Sequence, residues 1–144
     1  MSYLNAGLPI PVAAGDGLDR AYWEGLQDER LLIQRCERCS GWQWGPEWLC
    51  HRCHSFSLSF EPVATEGTLY SYERVWHPVH PALKDQGPYL VALVALDEAP
   101  GVRIIGNLLG DPTREIVIGA SVRGVFEHHP DAQPAHSLLH WEMA

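Results

Sequence analysis

The chain has 144 residues, 46% of them hydrophobic, with 10 basic against 18 acidic side chains and a formal net charge of −8. That supplies a core for one ordinary domain or two small modules, while the longest apolar stretch, Tyr89 to Leu96, is too short to cross a bilayer. Met1 to Leu18 contains no Lys or Arg and does not resemble a secretion signal, so a cytoplasmic protein without a membrane partner is expected.

In chain order, Ser2–Gly17 holds Pro9, Pro11 and three glycines and reads as an extended arm. Asp19 can cap a short helix through Gln27 with Tyr22, Trp23 and Leu26 on one side. Arg30 to Arg35 is a β-type run that leads into Cys36. Cys36-Glu-Arg-Cys39 and Cys50-His-Arg-Cys53 contain every cysteine of the chain, in two pairs of identical spacing. Each pair can aim both sulfurs at one ion, and two facing pairs complete a tetrahedral four-thiolate site, so Cys36, Cys39, Cys50 and Cys53 are the expected ligands of a structural Zn2+. Iron in a rubredoxin-like site is the alternative occupant. Two disulfides are the other alternative and would need an oxidising compartment. Four thiolates leave no position for water, which argues against catalysis at the metal.

Gly41 follows the first pair, where a turn around the metal is expected to need positive φ. Trp42, Trp44 and Trp48 occupy the short connection between the pairs, and aromatic residues there serve first to cover a ribbon with little core of its own. Phe56 to Phe60 alternates on leaving Cys53, completing the strand and hairpin order of a zinc ribbon. Beyond Pro62 the pattern is wholly β. Gly67–Val75, Tyr89–Leu96, Val102–Leu109, Ser121–His128 and Ser137–Glu142 each read as a strand, separated by Pro and Gly turns. Five such strands suit a Greek-key barrel of the OB type, with a five-stranded meander as the competing topology. Ile116-Val117-Ile118 fits either a link or a further strand. The fold class expected is therefore mainly β, with an arm and short helix over 1–29, a rubredoxin-like zinc ribbon over 30–60 and a five-stranded OB-fold barrel over 61–144.

Charge is uneven along these parts. Arg30 to Ser55 carries four Arg against two Glu, or +2, whereas Glu61 onward carries five basic against eleven acidic residues, or −6. A strongly acidic barrel is a poor phosphate-backbone binder, so no nucleic acid is expected, although ribbons and OB barrels can bind strands and that reading is the rival. His51 and His54 flank thiolates that already fill the tetrahedron, and His128 and His129 precede a turn and are expected to face water. His77 and His80 lie in a Pro-rich loop where OB barrels often meet ligands. No serine stands in a nucleophile elbow, and Gly106 to Gly110 lacks the lysine of a phosphate cradle.

The order of Tyr22-Trp23-Glu24-Gly25-Leu26, Leu31 to Cys36, the two cysteine pairs, Gly67-Thr68-Leu69-Tyr70-Ser71, Pro88 to Val94 and Ile118-Gly119 resembles the acyl-CoA-associated zinc-ribbon/OB-fold family known as domain of unknown function thirty-five. The resemblance covers residues from about 19 to 142. It implies a non-catalytic accessory subunit that docks on a thiolase-superfamily enzyme such as a retro-aldol lyase acting on steroid side-chain CoA thioesters, or on a MaoC-type enoyl-CoA hydratase. It further implies a hetero-oligomer whose ribbon meets acyl-CoA. The candidate ligand contacts are Arg35, Arg38 and Arg52 for phosphates, Trp44 and Trp48 for adenine stacking, and His77 and His80 at the barrel rim.

Overall fold

Hydrogen-bond pairing sorts the strands into two antiparallel sheets. The computed structural model describes residues 7–9, 12, 13, 15 and 17–144, so part of the arm expected over Ser2–Gly17 lies outside the described residues. The elements are α1 (Arg20–Gln27), β1 (Leu31–Cys36), β2 (Trp42–Gln43), β3 (Leu58–Val63), β4 (Glu66–Val75), a 3-10 turn at Pro81–Leu83, β5 (Tyr89–Leu96), β6 (Arg103–Asn107), β7 (Ser121–His129) and β8 (His136–Met143). The ribbon sheet has the order β2-β1-β3 and the larger sheet the order β6-β5-β4-β7-β8. Because β4 pairs with β7 as well as β5, the five strands are not a meander. The two edges of the larger sheet meet through a parallel bridge between Leu108 and Trp141, with the Leu109 N–H donating to the Trp141 carbonyl at 2.7 Å. That closure makes the OB barrel, and closing a sheet removes its exposed edges.

Tyr22, Gly25 and Leu26 form the buried side of α1, which packs against β1 of the ribbon and β8 of the barrel. Asp19 does not cap the helix with its side chain. Its carboxylate instead accepts from Trp23 Nε1 at 2.8 Å, a competing use of the same oxygen. Leu31, Ile33 and Val63 of the ribbon belong to one apolar cluster with Leu69, Leu90, Val94, Ile104 and Trp141 of the barrel. The ribbon therefore shares the barrel's core, which offsets its small size. Ile116–Ile118 is not a strand; Val117 and Ile118 are exposed in the link before β7.

Trp141 is fully buried where the barrel closes, against Gly106 of β6. A Cβ on Gly106 would stand 2.9 Å from Trp141 Cδ1 and 3.0 Å from the Leu139 carbonyl, so only glycine lets β6 approach β8 this closely. Trp141→Ala is expected to cost about 3–5 kcal/mol by leaving a cavity, and Gly106→Ala about 1–3 kcal/mol by overpacking. Urea unfolding followed by far-UV circular dichroism measures both.

Candidate metal centre

Each cysteine pair is a small loop built by backbone hydrogen bonds, and the two loops are wired alike. In the first, Ser40 N–H donates to the Cys36 carbonyl at 2.8 Å and Cys36 N–H to the Gly41 carbonyl at 2.9 Å. In the second, His54 N–H donates to the Cys50 carbonyl at 2.9 Å and Cys50 N–H to the Ser55 carbonyl at 2.9 Å. The residue after each second cysteine takes positive φ, 58° at Ser40 and 57° at His54. Gly41 is not left-handed, contrary to the expectation; a Cβ there would lie 2.9 Å from Cδ of the exposed Arg52 and 3.3 Å from Cys39 Sγ, so Arg52 packs closely over it.

The loops bring all four Sγ atoms within 4.8 Å of one another, with Cys36–Cys53 and Cys39–Cys50 each at 3.6 Å. A tetrahedron with zinc–sulfur bonds of about 2.3 Å has sulfur–sulfur edges of about 3.8 Å, so the donor set fits a structural Zn2+. The backbone N–H of Cys39 holds the Cys36 thiol below its ordinary value. The backbone N–H of Cys53 draws the Cys50 thiol down to about 6. At Cys53 the Ser55 N–H also pulls downward, yet burial and the sulfurs of Cys36, Cys39 and Cys50 push the thiol up to about 11. The last thiolate is thus opposed by the others, and a dication among them removes that opposition.

Two buried glutamines carry the connection between the pairs. Gln43 Nε2 donates to Gln34 Oε1 at 2.6 Å, Gln34 Nε2 to the Glu47 carbonyl at 2.9 Å, and Glu47 N–H back to Gln34 Oε1 at 2.9 Å. His51 N–H donates to Gln43 Oε1 at 3.2 Å, which anchors the second loop to β2. Such amides replace the ladder bonds that irregular backbone lacks. Neither glutamine stands out in the sequence; the only signal is a polar side chain after Leu31-Leu32-Ile33 at Gln34 and another between Trp42 and Trp44 at Gln43.

The expected ligand contacts fall into separate places. Arg35 is engaged: its guanidinium pairs with Glu61 at 2.8 Å and stacks over Trp42 at 4.8 Å. Trp44 packs on Tyr22 with ring centroids 4.6 Å apart. Arg38 and Arg52 are exposed on the ribbon, as is Trp48, 73% exposed. His77 and His80 are exposed on the β4–β5 loop, where His80 Nδ1 accepts from Ala82 N–H at 3.2 Å. No contact among the described residues joins these histidines to the ribbon arginines.

A polar cluster went unread in the barrel. Glu127, fully buried, accepts from His129 Nε2 at 2.7 Å and from His140 Nε2 at 2.9 Å. His129 was expected to face water, but the β7–β8 register carries it inward beside His136. Burial lowers the His140 pKa, against the upward pull of Glu127. His140 also lines a cavity of about 670 Å3 with Leu83, Tyr89, Asn107, Leu109 and Leu138.

Family models match two adjoining parts of the chain: the ChsH2 rubredoxin-like zinc ribbon domain over residues 23–59 and the ChsH2 C-terminal OB-fold domain over 60–127. A chain of the Ltp2-ChsH2(DUF35) aldolase superposes with a TM-score of 0.75 at 32% identity, covering 93% of this chain and 98% of that one. A DUF35-family protein of unknown function from Sulfolobus solfataricus has the same fold, with a TM-score of 0.62 at 14% identity over 90% of this chain and 87% of its own. Among curated proteins, a "Probable enoyl-CoA hydratase alpha subunit" of Thermomonospora curvata is 41% identical over 105 residues, 72% of this chain and 32% of its own. The 3-oxo-4,17-pregnadiene-20-carboxyl-CoA hydratase alpha subunit of Mycobacterium tuberculosis is 32% identical over 124 residues, 84% of this chain and 36% of its own. The chain spans about a third of the length of these curated relatives.

Two measurements check the site. Purified protein is expected to hold one zinc per chain by elemental analysis, and Cys50→Ser to lose it together with the ribbon's near-ultraviolet tryptophan signal. His140 sets a pH dependence. With the His140 pKa below the ordinary 6.5, the unfolded chain takes up that proton first, so stability falls as pH drops through about 6.5. The urea midpoint is expected to fall on mild acidification, and His140→Gln to flatten that fall.

Proposed function

The chain belongs to the ChsH2 family of zinc-ribbon/OB-fold proteins, and we propose that it is a non-catalytic, zinc-stapled subunit of an acyl-CoA-metabolising complex, docked on a thiolase-superfamily aldolase. The observation that carries this reading is the aldolase match, which extends over 98% of the matched chain. The hydratase relatives are matched over only 32% and 36% of their lengths. Their names support a hydratase partner as the second reading. The pregnadiene carboxyl-CoA relative adds a substrate class, a CoA thioester on a steroid side chain.

Within this reading the zinc does no chemistry, because four thiolates leave no open position. The ribbon instead carries Arg38, Arg52 and Trp48 exposed, residue types suited to the phosphates and adenine of CoA through guanidinium hydrogen bonds and ring stacking. Arg35 and Trp44 are engaged within the fold, on Glu61 and Tyr22. His77 and His80, on the barrel loop, are the proposed contacts toward the enzyme or the thioester.

Co-expression with a cognate thiolase-superfamily aldolase, and separately with a MaoC-type hydratase, is the test. A stable complex with the aldolase that cleaves steroid side-chain CoA thioesters is expected, with Arg52→Ala and Trp48→Ala raising KM for acyl-CoA roughly tenfold and leaving kcat nearly unchanged. A chain that binds neither enzyme overturns the reading. Salt-sensitive binding to an oligonucleotide would instead favour a nucleic-acid module.

A further inference from the structure

β5 is apolar on both of its faces. Leu90, Ala92, Val94 and Leu96 are buried, while the alternate Tyr89, Val91, Leu93 and Ala95 face outward, half-buried. An antiparallel sheet with one face in water ordinarily alternates apolar with polar, so this strand is built to be covered on its second face as well. Leu93 stands opposite Ser71 of β4 and Ile105 of β6. A β-bulge between Leu69 and Ser71 extrudes Tyr70 beside them. Gly119 N–H donates to the Leu69 carbonyl at 2.8 Å and Leu69 N–H to the Ala120 carbonyl at 2.9 Å, so the link that carries Val117 and Ile118 meets β4 next to the bulge. Ile105 is 67% exposed, Ile118 60% and Tyr70 48%, so the patch is both apolar and open.

Its cationic element is Arg103. That residue stands opposite outward-facing Ala95 and lays its guanidinium 3.8 Å over the Tyr70 ring. No ion pair among the described residues includes Arg103. The face also carries polar groups, with Thr68, Ser71 and Glu73 of β4 and Asn107 of β6 opposite Ala95, Leu93 and Val91. A guanidinium pinned on an aromatic ring beside Ile105, with no ion pair of its own among the described residues, is the composition of an interface hot spot awaiting its counter-charge. Covering it with an apolar surface alone would strand a buried charge.

We propose that the outer face of β4–β6 is the surface that docks the partner enzyme, which meets it with apolar side chains surrounding a carboxylate that pairs with Arg103. The inference rests on the subunit reading above and assigns the face and its chemistry. A second copy of this chain fits poorly, since a two-fold contact centred on Arg103 would oppose two guanidinium groups between molecules that each carry −8.

The experiment compares the full chain with Ile105→Asp and Arg103→Glu, titrated against the cognate thiolase-superfamily aldolase by biolayer interferometry, with Phe56→Ser on the ribbon as a control at an exposed apolar site. Each face variant is expected to weaken binding by roughly tenfold or more, with zinc content and unfolding midpoint unchanged, while the control binds like the unmodified chain. Ile105→Thr and Arg103→Ala replace the charged variants if those unfold. Aldolase binding by both face variants at full affinity overturns this docking face and leaves the subunit reading intact. No binding by the unmodified chain overturns both. Concentration-dependent dimers in sedimentation that Ile105→Asp abolishes would assign the face to a second copy and also overturn the proposal.

Discussion

Four thiol sulfurs held within 4.8 Å are the constraint on which the ribbon depends. Two short loops have little apolar material to enforce that proximity, and at Cys53 burial and the neighbouring sulfurs oppose ionisation. The backbone prepares the arrangement through paired N–H bonds, left-handed turns at Ser40 and His54, and the bare Gly41 beside Arg52. A bound dication then converts mutual repulsion into attraction, and metal binding energy becomes folding energy. What the cluster organises is β1, which starts at Leu31 in the apolar cluster and ends at Cys36 in the metal site.

From β1 the order spreads by direct packing. β3 pairs with it along its whole length, from Leu58 opposite Cys36 to Val63 opposite Leu31, and β4 begins only three residues later, at Glu66. The boundary expected at residue 60 thus lies within β3, and α1 fills the angle between β1 and β8. Because Tyr22, Leu26, Ile33 and Val63 join the barrel residues in one cluster, losing the metal should loosen more than the ribbon tip. Ribbon and barrel are mechanically coupled through shared core side chains.

Much of this was legible because its causes are local. A short continuous apolar run bounded by turn signals marks β5 as Tyr89–Leu96, and cysteine spacing identifies the metal loops, since both follow from neighbours along the chain. The missed features have distant causes. Glu127 is satisfied by His140, thirteen residues away, and Gln34 by groups nine and thirteen residues on, so neither could be found before the strand register was known. Ile116-Val117-Ile118 has strand composition, but the link's hydrogen bonds engage Leu69 at only one point, so the segment forms no ladder and exposes Val117 and Ile118. The Asp19 cap failed because Trp23, one turn later, competes for its carboxylate.

The same closure that makes the metal site inert as a catalyst shifts the functional burden to surfaces. A tetrahedron of four thiolates offers no vacancy for a carbonyl or water, and Trp141, Leu69 and Ile104 pack the barrel core. The ribbon exposes Arg38, Arg52 and Trp48 along with Phe56, and the barrel exposes Tyr70, Ile105 and Ile118. On the proposed function, the ribbon groups would meet the phosphates of CoA and the barrel groups the partner enzyme. The shared core fixes the ribbon relative to the barrel, so docking through the barrel would place the ribbon at a set position over the partner. A rigid offset of that kind is what positioning a CoA thioester requires, since orientation gained by a subunit is useful only if the subunit does not flex.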